Sequence, residues 1–281
     1  MSISFLILTF NEERNLPACL EAVAWCDDIV VLDSFSTDGT VEIAKKSGAH
    51  VYQRQFDNFA GQRNFALINL EFKHKWVFHL DADEIITDEL KSEMEREIEN
   101  TKVDAFRVPS KMIMLGKWLR FSGMYPAYQV RLGRVGVLRF KQVGHGQRED
   151  IDASRVGTLE NPYLHYSFSK GFEDWFTKHN LYSTQEAVEG LMIIGKKSID
   201  WGGLLSIGAP TRRRRVLKDI SVRLPFRPLL RFLYIYILRC GFLDGTAGFA
   251  YCLLLSIYEY LIVIKMKELR PSTNREIKSN S

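Results

Sequence analysis

The first eighty residues alternate short apolar runs with helix-like segments, and this alternation limits the fold more than any other feature. Residues 3–9, 28–32, 49–53 and 76–80 read as buried strands. Between them, Asn11 with Glu12 and Glu13 opens a helix whose apolar face carries Leu16, Leu20 and Val23. Residues 41–47 continue as a second helix that stops at Gly48, and residues 58–70 form a third. Strand, helix and strand in regular succession describe a parallel sheet with crossover connections. The expected fold class is therefore α/β, with a ligand crevice where the strands end.

The fourth run, Trp76-Val77-Phe78-His79-Leu80, stops abruptly in Asp81-Ala82-Asp83-Glu84. Carboxylates so closely crowded repel one another, and a hard divalent cation that also binds phosphate oxygens accounts for them better than packing does. The competing reading makes Asp83, Glu84 and Asp88 the start of a helix over 87–100, because acids favour helix N-termini. Context decides between the two. Thr9, Asp33 and Asp83 all fall at strand ends, so three polar positions distant in sequence converge on one sheet edge. A lone Asp33 would read as a turn cap, since Ser34-Phe35-Ser36-Thr37-Asp38-Gly39-Thr40 after it is dense in turn formers.

At 281 residues and 46% hydrophobic composition the chain can bury one large α/β core with a smaller appendage. Cys19, Cys26, Cys240 and Cys252 have neither disulfide-framework nor zinc spacing, which fits a reducing compartment. Met1 to Phe10 has no basic start and no long apolar region, so it does not resemble a signal peptide, and the N-terminus is expected to stay in the cytoplasm.

Three motifs carry a family resemblance. Leu8-Thr9-Phe10-Asn11-Glu12-Glu13, Val31-Leu32-Asp33-Ser34-Phe35-Ser36-Thr37-Asp38-Gly39-Thr40 and Leu80-Asp81-Ala82-Asp83-Glu84 resemble the successive motifs of family 2 inverting glycosyltransferases with the GT-A fold. Ala60-Gly61-Gln62-Arg63-Asn64-Phe65-Ala66 and Leu164-His165-Tyr166-Ser167 are similar to the lipopolysaccharide core β-glucosyltransferase group within that family. The resemblance covers residues 1–190. It implies a mixed sheet flanked by helices, with Thr9, Asn11, Glu12, Asp33, Asp38, Arg63 and Asp81 around a nucleotide-sugar. Asp33 would meet uracil or ribose, which favours a UDP-sugar. Asp81 and Asp83 match the two acids of the DxD motif, the second of which ordinarily meets Mg²⁺ or Mn²⁺, and His165 is a further candidate for a phosphate or metal position.

An inverting transfer also needs a base for the acceptor hydroxyl. The polar island Val143-Gly144-His145-Gly146-Gln147-Arg148-Glu149-Asp150 offers Glu149 first and Asp150 second. Many relatives have a compact Val-His-Glu here, so the separation of His145 from Glu149 leaves both acids open. Trp118 and Tyr125, in an aromatic and Gly-rich stretch, are candidates for stacking on an acceptor sugar. In the resembled group a helix over 169–190 covers the site, which makes Lys178 and Tyr182 acceptor candidates.

Net charge is only +4, but residues 212–239 carry most of the excess, interleaved with Leu, Ile, Phe and Tyr. That mixture suits anionic lipid headgroups, and no nucleic-acid motif accompanies it. Residues 249–264 are apolar but interrupted by Glu259 and shorter than the ~20 residues of a spanning helix. A monotopic or re-entrant hairpin about residues 241–245 is expected, with Lys265, Lys267 and Arg270 on the cytoplasmic side. The expected organisation is a catalytic domain over 1–200, whose residues 1–100 bind the nucleotide-sugar and 101–200 supply acceptor and base. A membrane-associating region over 201–270 and a polar tail over 271–281 follow. The function this implies is transfer of a hexose to a lipid-borne acceptor at the cytoplasmic face of the plasma membrane. Two rivals are weaker: a sugar-nucleotide nucleotidylyltransferase would need a Gly-rich basic loop after the first strand, and a non-catalytic membrane scaffold would have lost the acids.

Overall fold

The strand–helix alternation is present, with its reversal point at the first strand. The structure is a computed structural model and describes residues 2–99, 101–143, 146–196, 199–203 and 210–270. Strands β1 (Ile3–Thr9), β2 (Ile29–Asp33), β3 (His50–Gln53) and β4 (Trp76–Asp81) are parallel. They are joined by α1 (Leu16–Ala22), α2 (Thr40–Lys46) and α3 (Phe59–Asn69). β1 pairs with β2 on one edge and β4 on the other, in a register that sets Thr9 against Asp33 and Leu8 against Asp81. Chain order therefore reverses at β1, and the polar strand ends gather there.

The chain continues through β5 (Glu84–Ile85), α4 (Asp88–Glu99), β6 (Ala105–Met114), β7 (Lys117–Trp118) and β8 (Ala127–Arg134). The hairpin β9 (Phe140–Val143) and β10 (Gly146–Glu149) comes next, then β11 (Val156–Thr158) and β12 (Tyr163–His165). The sheet order β3-β2-β1-β4-β8-β6-β12-β5 is mixed, because β8 runs antiparallel to both β4 and β6. This order also forces the sheet to curl. Four strand spacings of ~4.8 Å would separate β4 from β5 by ~19 Å in a flat sheet, whereas the three Cα steps from Asp81 to Glu84 reach at most ~11 Å. The turn Asp81-Ala82-Asp83-Glu84 thus bridges the mouth of a curled sheet.

Period-two alternation fills the two sides. Phe5, Ile7, Phe78 and Leu80 pack with Leu16 and Leu20 of α1 and with Leu90 and Met94 of α4, and Leu6, Val30, Leu32 and Val77 pack with Ala66 of α3. Asn58 caps α3, its side chain accepting from Gly61 N at 2.7 Å. One expectation needs correction: Glu84 is not a helix-end charge. α4 begins at Asp88, whereas Glu84 is fully buried in β5.

The chain divides into two compact units, Met1–Phe172 and Glu173–Ser281. The boundary falls before the expected residue 200 because α5 (Phe172–Gly195) packs with the helices that follow. α6 (Pro210–Arg223) holds it through Arg223, which donates to Ile193 O at 2.7 Å and Lys196 O at 3.0 Å. Gly190 allows Met266 close, since a Cβ there would meet its sulfur at 3.0 Å. α7 (Arg227–Leu233) runs into a π-helical turn, Tyr234–Leu238, and reverses at Gly241–Asp244 into α8 (Gly245–Leu269). Pro228 O accepts from Ser256, Phe232 meets Phe249 and Arg227 meets Glu259, so the expected hairpin is antiparallel. Gly248 is required at the reversal, where a Cβ would lie 2.4 Å from Gly241 O. A second correction concerns length: the segment Gly241–Leu269, whose most apolar 18 residues have a mean hydropathy of 1.8, is by length and composition long and apolar enough to cross a membrane. The shorter estimate counted only residues 249–264, whereas the helical segment begins at the reversal and runs on to Leu269. The tail over 271–281 lies outside the described residues.

His79 on β4 is fully buried against the Phe140 ring, and neither ring nitrogen has a hydrogen-bond partner among the described residues. Burial, reinforced by the charges of Arg63 and Arg131, holds its pKa well below the ordinary 6.5. The neutral ring carries no penalty above that value. Below it only the unfolded chain takes up the proton, so stability falls as pH drops. His79→Leu is expected to raise stability by about 1 kcal/mol and to flatten the loss below pH ~6.5. Urea unfolding at pH 5 and pH 7.5 reads both effects, and an unchanged acid loss would exonerate His79.

Candidate functional site

Two loops form the first wall. Thr9 donates to Asp33 Oδ1 at 2.9 Å, Ser36 N and Gln53 Nε2 donate to Oδ2 at 2.8 and 3.2 Å, and the Ser36 hydroxyl donates to Oδ1. Asp33 is fully buried by these partners and organises the loop from within. Asn11, at φ +53°, accepts from Thr37 N at 2.8 Å while its own N–H donates to Ser36 Oγ at 2.8 Å. Asp38 accepts from Glu13 N at 3.2 Å and Thr40 N at 3.0 Å. Thr9, Asn11, Asp33 and Asp38 are thus one hydrogen-bonded assembly between the β1 and β2 ends, with the Phe10 and Phe35 rings exposed beside it.

The second wall is a buried charge network that sequence reasoning found only in part. Arg63 of α3 donates to Asp81 Oδ1 at 2.6 Å, so it fixes a neighbouring acid. Arg131 of β8 donates to Asp81 Oδ2 at 3.0 Å, Glu84 Oε1 at 2.5 Å, His79 O at 3.2 Å and the Tyr163 hydroxyl at 3.3 Å. Glu84 Oε2 in turn accepts from Asp81 N at 2.9 Å, which closes the acid turn. Arg131 occupies an irregularity: the register passes from Phe106↔Leu132 to Arg107↔Val130, leaving Arg131 as the extra residue of a β-bulge. Bulges re-aim side chains in this way. Its signal in the sequence was a lone charge inside the apolar strand Val130-Arg131-Leu132.

Electrostatics follow from this packing. Burial favours the neutral form of Asp81, but the Arg131 and Arg63 guanidiniums outweigh it and hold the carboxyl well below the usual range. Burial dominates at Glu84 and, with the charges of Asp81 and Asp83, raises its pKa to about 7 despite Arg131. Asp83 lies 3.5 Å from His165 Nε2, and its carbonyl accepts from Tyr166 N at 2.9 Å. Burial opposes a charge on His165, yet Asp83 chiefly, with Glu84 and Asp81, raises its pKa to about 9. Glu12 is raised by burial and by Asp83, against the pull of Lys170, whose ammonium lies 2.5 Å away. Lys170 also donates to Phe10 O at 3.1 Å, tying the segment after β12 to the β1 loop. Nothing in the sequence singled out Lys170.

The hairpin β9–β10 is fastened to α3, where Asn64 donates to Phe140 O at 2.7 Å and accepts from its N–H at 2.9 Å. Gln147 accepts from Arg63 Nε at 2.8 Å and donates to Phe59 O, which links the hairpin to the acid network. Glu149, opposite Phe140, is half-buried and makes no hydrogen bond or ion pair with another described residue, whereas Asp150 pairs with Lys141 at 2.8 Å. His145 lies outside the described residues. Trp118 and Tyr125 meet edge to face at 5.1 Å, with Lys111 over the Trp118 ring at 4.8 Å. Lys178 and Tyr182 belong to the second unit, where Lys178 pairs with Asp174 at 2.9 Å and Tyr182 meets the His179 ring.

Breaking the network from one side leaves a buried charge uncompensated. Arg131→Met is expected to cost about 3–5 kcal/mol. Adding Glu84→Leu should restore at least about 1 kcal/mol of that loss. A double-mutant cycle by urea denaturation measures the coupling, and strictly additive costs would show the two side chains to be independent.

Residues 4–136, from β1 through β8, match the family model for glycosyl transferase family 2. The chain is 25% identical to an uncharacterised glycosyltransferase of Rickettsia typhi, over 99% of this chain and 91% of the relative. It is 24% identical to the lipopolysaccharide core biosynthesis glycosyltransferase LpsC of Rhizobium meliloti, over 95% and 92%. Among solved structures, the mannosyltransferase PcManGT of Pyrobaculum calidifontis, in complex with GDP-Man and Mn²⁺, aligns with a TM-score of 0.49 at 14% identity, over 94% and 86%. Residues 4–136 thus carry the match to glycosyl transferase family 2, on the curled, mixed sheet expected of a GT-A fold and with the three acid-bearing loops at one sheet edge.

Proposed function

We propose that the chain transfers a hexose with inversion from a nucleotide-sugar, a UDP-sugar in preference, to a lipid-borne saccharide of lipopolysaccharide or another cell-surface polysaccharide. The observation that carries this reading is the Asp83–His165 pair, 3.5 Å apart at the end of β4 and beside the crevice between the β1 and β2 loops. The similarity to LpsC supports the choice of acceptor class.

The residues suit a divalent cation. Among the described residues no group of three His, Cys, Asp or Glu forms a ready cage. Mg²⁺ and Mn²⁺ need none, since they are held by one or two side chains together with substrate phosphates and water. Asp83 would hold the ion with His165, which would first give up its proton. The charge of Asp83 already raises Glu12 and Glu84, so a cation there relieves repulsion. When bound, the metal supplies charge compensation for the departing diphosphate.

The chain's own residues do the rest. The loop assembly built on Asp33 shapes the crevice for base and ribose, and the exposed Phe10 and Phe35 rings offer stacking surfaces. Arg63 and Arg131 fix Asp81 so that the acid turn keeps one geometry. A carboxylate takes the acceptor hydroxyl proton as the acceptor oxygen bonds to the anomeric carbon, while the anomeric carbon–phosphate oxygen bond breaks and the nucleoside diphosphate leaves with the electron pair. Glu149 suits this role better than Asp150, whose carboxylate is engaged by Lys141. Trp118 and Tyr125 offer the acceptor sugar an aromatic surface. In the second unit, only 28% of the most apolar window of Gly241–Leu269 is buried, and Leu229, Leu238, Phe242 and Leu253 are exposed among Arg231 and Arg239. This surface suits attachment to the cytoplasmic face of the plasma membrane through anionic lipids.

Asp83→Ala is expected to abolish transfer and to remove the Mn²⁺-dependent part of the thermal shift given by UDP-sugars. An unaltered Mn²⁺ dependence would remove the metal from the reading. Glu149→Gln should lower kcat by about 10²–10⁴-fold with Asp150→Asn near wild type, and the reverse result would transfer the role to Asp150. Leu238→Glu with Phe242→Glu should reduce co-sedimentation with anionic vesicles at least tenfold, at about 1.5–3 kcal/mol per large apolar side chain. Undiminished sedimentation would deny this surface its membrane role.

A further inference from the structure

The second unit contains an open groove of about 300 Å³ where the ends of α5, α6 and α8 and the start of α7 meet. Four cations, Arg223, Arg227, Lys267 and Arg270, surround an apolar floor that includes Val222 and Met266. Among the described residues one carboxylate pairs with them, Glu259 with Arg227 at 2.8 Å. Arg223 donates to Ile193 O, Lys196 O and Asp219 O, which fixes its guanidinium without neutralising it. Neither Lys267 nor Arg270 forms an ion pair with a described carboxylate. We propose that this groove binds the headgroup of an anionic phospholipid, with the phosphate among Arg223, Lys267 and Arg270 and the first acyl carbons on the apolar floor.

Charge and shape together select that ligand. An inorganic anion would use the cations and leave the floor idle, and a neutral apolar molecule would do the reverse. The volume is at the small end for ligand sites, so it suits a phosphate with its glycerol rather than a whole lipid. The rest of the lipid has a path: Leu224, Phe226, Leu229 and Leu230 continue as exposed apolar residues from the groove into α7. The groove also sits where the apolar course of α8 gives way to Lys265, Lys267 and Arg270, the level at which a membrane-attached helix meets headgroup phosphates. Arginine's planar fork adds bidentate recognition of phosphate.

This inference rests on the membrane reading of the second unit but is tested without a membrane. The full chain is titrated calorimetrically with dihexanoyl phosphatidylglycerol below its micelle concentration, with dihexanoyl phosphatidylcholine and inorganic phosphate in parallel. Saturable one-to-one binding of the phosphatidylglycerol is expected. The exposed pair Lys267→Gln/Arg270→Gln should weaken it about 25-fold, from about fivefold per cation. Lys45→Gln, an exposed cation on α2 of the first unit, should leave it within twofold. Absence of saturable binding, equal affinity for phosphatidylcholine or for phosphate alone, or equal loss in both variants would each overturn the proposal. Loss of vesicle sedimentation with intact short-chain lipid binding would instead overturn the membrane reading alone.

Discussion

Arg131 is the side chain on which the rest of the catalytic unit depends. It is buried to 2% exposure and reaches β4 through His79 O and Asp81, β5 through Glu84 and β12 through the Tyr163 hydroxyl. A sheet that must curl to connect β4 with β5 through two residues needs something to fill and fasten the inside of the curl. A guanidinium with five fixed donors does so where an aliphatic side chain would leave carboxylates and a carbonyl unsatisfied. The price is a desolvated charge, compensated because Arg63 and Arg131 face Asp81 and Glu84 as two cations against two anions.

That compensation divides the acids by function. Asp81 is clamped on both oxygens and Glu84 is spent on Arg131 and on the backbone of the turn, so both serve the shape of the loop. Asp83, between them, pairs with His165 and is about a quarter exposed. The geometry explains how four acids, Glu12, Asp81, Asp83 and Glu84, can crowd one strand end without unfolding it: each is held by a cation from a different element, Lys170, Arg63, Arg131 or His165. The second unit solves a different problem, exposing apolar surface along a helical hairpin while Arg227 and Glu259 neutralise each other within it.

The sequence by itself determined the four parallel strands and their helices, because hydrophobic period and turn chemistry are local properties. It also determined that Thr9, Asp33 and Asp83 share an edge, because strands of one parallel set must end on the same side. It also marked the reversal near 241–245. What only the tertiary structure decided was how the acids are used. Glu84 read as a helix-end charge because helix N-termini attract acids, and only pairing with β12 turned it into a buried strand residue. Arg131 was one charged letter in an apolar strand, and its role depends on a bulge that shifts register against β6, a relation between residues 25 apart that no local pattern encodes. Asp33 sits among turn formers that mark it as a loop cap, and only the long-range contacts with Thr9 and Gln53 show how completely it is buried. The local chain thus dictated which groups arrive at the sheet edge, and packing across distant strands dictated which of them are clamped by buried partners and which stay partly exposed.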